Sequence, residues 1–171
     1  MNILKRKKGS ASACRRRDGF TLIELLVVVA IVGILASITL GYLGNARKKG
    51  DDTAVKSNLV TMRSVGEIFY LDNTNSYLPV GGSTFAIAAC PPYNVAGTNM
   101  LSKNKNIADS IAEAVKRGNG SSCYNSANSW AVAVGLKLIP NTSWCVDYGG
   151  NSKQVASVPG LAINAVTFLC N

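Results

Sequence analysis

Glu24 is the single charged residue in residues 20–40, FTLIELLVVVAIVGILASITL, and it needs a chemical reason. A carboxylate four residues into an apolar span costs roughly 2–3 kcal/mol at depth and less near an end. Either it lies at the interface and snorkels, or it meets a cation inside the membrane. No Lys or Arg occurs between Phe20 and Leu43, so the span itself supplies no cation. A free α-amine created by cleavage beside Glu24 would be one. Elsewhere the chain has little catalytic equipment. It has no His, which removes His-based triads, His general bases and His zinc ligands together. The acids after Asp72 are Asp109, Glu113 and Asp147. Asp109 and Glu113 stand four apart on one helix, the spacing of a solvated face rather than of a carboxylate pair. Asp147, beside Tyr148-Gly149-Gly150-Asn151-Ser152, could give one ligand to calcium, but the loop is poor in carboxylates for an oxygen cage. No metal site, no cofactor and no enzymatic activity are expected.

Charge locates the elements that hold these residues. The chain has 171 residues with 18 Lys+Arg against 9 Asp+Glu, which would suit a nucleic-acid binder were it evenly spread. Seven of the basic residues, Lys5, Arg6, Lys7, Lys8, Arg15, Arg16 and Arg17, fall in the first 17 positions. From Phe20 onward 11 basic residues face 8 acidic ones, so no nucleic-acid partner is expected from charge. A helix over the 21 residues 20–40 rises about 30 Å, enough to cross the hydrocarbon core. The basic tip places residues 1–19 in the cytoplasm and the C-terminal part outside. A secretory signal peptide is the competing reading; its apolar run would be shorter, and cleavage would fall near Ala36 or beyond.

Gly19-Phe20-Thr21-Leu22-Ile23-Glu24 followed by LLVVVAIVGILA resembles the class III signal of type IV pilins and pseudopilins. The resemblance covers residues 15–45 closely and the remainder only in architecture. It implies that a membrane-embedded prepilin peptidase cuts between Gly19 and Phe20 and methylates the new N-terminal amine of Phe20. It also implies that Glu24 then pairs with the N-terminal amine of a neighbouring subunit. A leader of 19 residues is longer than the common short form, and Gly41 stands where many pilins carry a helix-bending Pro. Gly33, Ser37 and Gly41, each four apart, form a stripe of small residues of the kind that lets helices approach closely in lipid. Such residues are also simply common in membrane helices.

Beyond Gly44 the helical period persists. Val55, Leu59, Met62, Gly66 and Phe69 form one stripe, widened by Val65 and Ile68, and Asp52, Lys56, Asn58, Arg63, Glu67 and Asp72 mark the opposite side. The helix is expected to run to about Asp72. Residues 107–117 read as a short helix with Asn106 as cap and Gly118 as stop. Residues 129–138, 143–148 and 163–170 read as strands, and a fourth short strand fits 153–157. Tight turns between them favour an antiparallel sheet laid on the long helix, an α+β fold. The expected organisation is a basic leader at 1–19, a membrane and assembly helix at 20–43, an amphipathic helix half at 44–72 and a globular head at 73–171.

Cys14 would leave with the leader, so four Cys remain in a compartment where thiols oxidise. Four Cys allow three connectivities. Cys145–Cys170 with Cys90–Cys123 is favoured, because Cys145 and Cys170 fall in two expected strands and the resemblance implies a stapled C-terminal segment.

The function that follows is a structural one, a prepilin subunit of a type IV pilus or related filament. Its partners would be the prepilin peptidase, other pilin subunits, the cytoplasmic membrane and the inner-membrane assembly machinery. It would reside in that membrane with a single pass and the head outside, and then in an extracellular filament. The alternative is a solitary membrane-tethered surface binding domain, an adhesin or DNA receptor.

Overall fold

The computed structural model describes residues 19–171, so the basic tip and Cys14 of the expected leader lie outside the described residues. The chain falls into two units that divide between Gly41 and Tyr42, inside the first helix.

Helix α1 is a single helix, Leu22–Asp72. No Pro interrupts residues 20–72, and residues 22–41, the first unit's share of it, are exposed throughout. The helix stops where Thr74 and Asn75 turn left-handed, at φ 53° and 57°. The Asn75 N–H donates to the Tyr70 carbonyl at 3.0 Å, and the Asn73 side chain donates to the Ser76 and Leu78 carbonyls. An Asn tolerates this backbone conformation better than most residues.

In the second unit, α1 buries Asp52, Val55, Leu59, Met62 and Gly66. The spacing of 3, 4, 3 and 4 is one helix face. Four of these are the expected stripe. Ile68 departs from it and stays exposed at 57%. Asp52 also departs from expectation. It sits three residues before Val55 and so on the buried face, where it accepts the backbone N–H of Lys137 at 2.7 Å and of Leu138 at 3.1 Å.

The sheet is a five-stranded antiparallel meander, β1 Phe85–Ala88, β2 Ser121–Asn125, β3 Trp130–Gly135, β4 Ser143–Asp147 and β5 Ser152–Val155, in that spatial order. Between β1 and β2 run α2 Met100–Lys103 and α3 Lys105–Arg117. The fold is α+β, a long helix against an antiparallel sheet, the pilin-like architecture the sequence pointed to. β3 is buried at every position because both sheet faces are covered. Trp130, Val132 and Val134 face the core that holds Val55, Leu59, Met62, Met100 and Ile111. Ala131 and Ala133 face the other way, toward Cys145, Ala162, Ile163 and Cys170. Their small side chains leave room for α4 Pro159–Ala162 and the C-terminal segment to lie close.

Several sequence expectations need correction. Strands β1 and β2 lie outside the expected strands; in β2, Ser121, Ser122 and Asn125 have weak strand propensity. Tertiary contact overrides it: Asn125 is fully buried and its Oδ1 accepts the Met100 N–H at 2.9 Å. Residues 163–170 are not a strand. Asn164 Oδ1 accepts the N–H groups of Val166 and Thr167, the Asn164 N–H donates to the Leu169 carbonyl, and Phe168 has φ 54°. Only an isolated bridge, Ile163 with Cys170, joins the ends of this turn. The cap of α3 is Asn104, whose side chain accepts the Ile107 N–H at 3.2 Å, rather than Asn106. The helix therefore starts two residues earlier than expected and ends, as expected, before Gly118. Disulfides link Cys90 with Cys123 and Cys145 with Cys170.

Candidate assembly site

The first turn of α1 closes on Glu24. Its Oε2 accepts the Thr21 backbone N–H at 2.9 Å and the Thr21 hydroxyl at 2.8 Å, while the Glu24 N–H donates back to Thr21 Oγ1 at 3.2 Å. This is a reciprocal capping box, in which two orphan amides at a helix start are satisfied by the two side chains. The expected cation partner of Glu24 does not account for this arrangement. Its signal was present as Thr21-x-x-Glu24 directly before the apolar run. The carboxylate thus has donors within its own helix, though no cation among the described residues. Glu24 Oε1 accepts no hydrogen bond among the described residues.

Glu24 lies with Phe20, Ile23, Val27 and Val28 along one shallow apolar face. Phe20 is 79% exposed, so its ring has no tertiary partner. Gly19 and Phe20, the residues of the expected cleavage, both precede the helix and are exposed. The rest of the span repeats the pattern. A Cβ added at Gly33 or Gly41 would meet nothing within 4 Å. The Ser37 hydroxyl donates to the Gly33 carbonyl at 2.7 Å, so it is satisfied inside the helix. The stripe of Gly33, Ser37 and Gly41 is therefore open, and no contact among the described residues explains its small residues. The helix from Leu22 contains an 18-residue window of mean hydropathy 2.7, long and apolar enough to cross a membrane.

Five charged residues of the head-side half of α1 contact the head. Beyond Asp52, Asp51 accepts from Lys137 Nζ at 3.0 Å and lies 3.7 Å from the Arg117 guanidinium. The hydrogen bond from Lys137, helped by the charges of Lys137 and Arg117, holds the Asp51 carboxyl below its ordinary range. Arg63 donates to Ser152 Oγ at 3.3 Å. Glu67 accepts the Tyr77 hydroxyl at 3.1 Å on both oxygens. Burial, and then the Glu67 charge, push the Tyr77 hydroxyl up to about 12. Lys56 Nζ lies 4.9 Å over the Trp144 ring. These contacts bind helix to sheet.

Asp147 is fully buried and saturated. It accepts the backbone and side-chain N–H groups of Asn151 at 3.1 and 2.8 Å and the Cys170 N–H at 2.8 Å. It serves as a clasp between the β4–β5 turn and the C-terminus. No group of three or more His, Cys, Asp or Glu suited to a metal occurs among the described residues.

With this geometry in view, residues 14–40 match the family described as the prokaryotic N-terminal methylation motif. The chain carries a pilin-type N-terminal segment. Over 63 residues it is 46% identical to the type IV wide pilus major component of Thermus thermophilus, covering 37% of this chain and 47% of that protein. Over 59 residues it is 39% identical to the type II secretion system core protein G of Aeromonas hydrophila, covering 34% of this chain and 41% of that protein. The protein of the same name in Escherichia coli is 34% identical over 61 residues, covering 36% and 42%. The chain thus matches less than half the length of these relatives. No solved structure matches it. Among the described residues of the pilin-type segment, every apolar side chain is exposed. These relatives are pilus and secretion-system components, and they give no support to a solitary surface binding domain.

Proposed function

We propose that this chain is a structural subunit of a type IV pilus or a related filament. One observation carries the reading. A pilin-type helix whose apolar side chains are all exposed over residues 22–41 runs, in one continuous helix, into a head that packs on its other half. Such a surface demands lipid first and then further apolar helices, because no water-exposed state accommodates it.

The steps follow from the residues. A prepilin peptidase removes residues 1–19 and leaves Phe20 with a free, methylated amine. The subunit waits in the cytoplasmic membrane with its head outside. Glu24 is meanwhile held by Thr21, so its carboxylate is not left bare in the apolar phase. On assembly, the Phe20 amine of another copy approaches Glu24 Oε1, and charge pairing in low dielectric favours the docked state. Gly33, Ser37 and Gly41 let neighbouring helices close in. The inner-membrane assembly machinery supplies the displacement, and the chain itself carries out no reaction.

The test is the N-terminal peptide of the exported protein. Mass spectrometry is expected to find it starting at Phe20 with one added methyl group. A mature chain starting beyond Ala36 would mean an ordinary secreted protein and would overturn the reading.

A further inference from the structure

Arg47, Lys48 and Lys49 follow one another on α1, exposed, and none forms an ion pair among the described residues. Consecutive helical residues point about 100° apart, so the three cations cover more than half the circumference of the helix. In sequence the run looks neutralised, since Asp51 and Asp52 stand four residues after Arg47 and Lys48, the spacing of helical ion pairs. In the structure both acids are taken. Asp51 is held by Lys137 and Arg117, and Asp52 by the backbone N–H groups of Lys137 and Leu138. The head draws away the carboxylates that would otherwise cancel the collar.

We infer that Arg47, Lys48 and Lys49 bind the anionic phospholipid headgroups of the leaflet on the head side of the membrane. The inference rests on the reading of residues 20–43 as the membrane span. Leu43 and Arg47 are four residues apart, about 6 Å of helix. The polar layer on each side of the hydrocarbon core is of that thickness, roughly 5–8 Å. By chain length alone, the three cations belong among the phosphates. A second copy of the chain is a poorer partner for them. Glu67, Asp109, Glu113 and Asp147 are engaged by Tyr77, Lys105, Arg117 and Asn151. Only Asp72 of the head-side acids has no such partner among the described residues. The collar would hold the subunit at a fixed depth before assembly and favour membrane regions rich in acidic lipid.

The full chain, reconstituted in vesicles of phosphatidylcholine with phosphatidylglycerol, tests this with spin-labelled forms of each lipid. A cation near an acidic surface favours it by about fivefold. The preference for labelled phosphatidylglycerol is expected to drop at least fivefold in R47Q/K48Q/K49Q, whose leader cations are unchanged. Raising NaCl on the unaltered chain is expected to erode the same preference, which needs no variant to fold. Equal preference in the two proteins, or indifference to salt, would overturn the proposal. Loss of preference on adding inorganic phosphate at constant ionic strength would assign the collar to a free anion and overturn it too. So would a triple variant that keeps its lipid preference but loses self-association. Carbonate washing separates the two readings. A chain that washes off overturns the span and this proposal together, whereas one that stays in place without lipid preference overturns this proposal alone.

Discussion

From Leu22 to Gly41 no side chain of α1 is buried, whereas from Asp52 to Gly66 a buried residue returns every three or four positions. The same helix thus carries two surfaces with different obligations. The head-side half packs on the head from Asp52 to Gly66, and Asp51, Asp52, Lys56, Arg63 and Glu67 have partners there, while Arg47, Lys48, Lys49 and Asp72 form no ion pair among the described residues. The membrane half has satisfied only its backbone, its hydroxyls and Glu24, each through bonds to the preceding or following turn. Its apolar side chains are exposed, and on the proposed reading lipid and then other subunits cover them. Stability of the head and assembly of the span should therefore separate experimentally.

The largest effect on the head should come from Trp130→Ala. Trp130 is fully buried between α1 and the sheet, and its loss is expected to cost about 3–5 kcal/mol. Urea unfolding of the exported protein measures this, while membrane insertion and leader removal should be unaltered. Replacing both Cys145 and Cys170 by Ala removes a link across 25 residues, worth about 3 kcal/mol in the chain-entropy model. Asp52→Ala leaves the part-buried Lys137 and Leu138 amides without their acceptor, at less than the roughly 1–3 kcal/mol each that a fully buried amide costs. An unchanged unfolding midpoint in Asp52→Ala would mean that helix and sheet are held by apolar packing alone.

Two pH effects are smaller and opposite in direction. Tyr77 is harder to ionise folded than unfolded, so its contribution is complete below pH about 10 and is lost as pH rises toward about 12. Tyr77→Phe should flatten that part of the profile. Asp51 is easier to ionise folded, so its contribution is present above the ordinary carboxylate range and fades as pH falls through the depressed value. Asp51→Asn should remove that acid limb. The smallest effect on the head, none, is expected for Gly33→Leu, because a Cβ at Gly33 meets nothing within 4 Å among the described residues. The same change should reduce filament yield if close helix approach matters there. A drop in head stability would break the proposed separation.

How far the sequence speaks differs between the two regions for a physical reason. Periodic burial is legible, so the helix end at Asp72 and the stripe from Val55 to Gly66 could be read directly. Strands β3 and β4 announced themselves through Val, Trp and alternation. Strand β2 did not, because Ser121, Ser122 and Asn125 are strand residues only by virtue of what packs on them. Residues 163–170 carry strand-forming residue types, but Asn164 competes for the local amides and folds them into a turn. Asp52 reads as a surface charge until the β3–β4 turn presents two N–H groups to it. At the candidate site, Glu24 stands out by type and position, while its bond to Thr21 is written in the three-residue spacing of a capping box.

Filament yield from cells making Glu24→Ala tests the central claim most directly. The altered chain should still insert, lose residues 1–19 and fold its head, since among the described residues the Glu24 side chain is hydrogen-bonded to Thr21 alone. In the assembled state an incoming amine would be left without its carboxylate, at about 3–5 kcal/mol. Sheared filaments, counted by electron microscopy and quantified against membrane-held subunit, are expected to fall by two orders of magnitude or more while the membrane pool persists. Filaments at the normal level from Glu24→Ala would contradict the account.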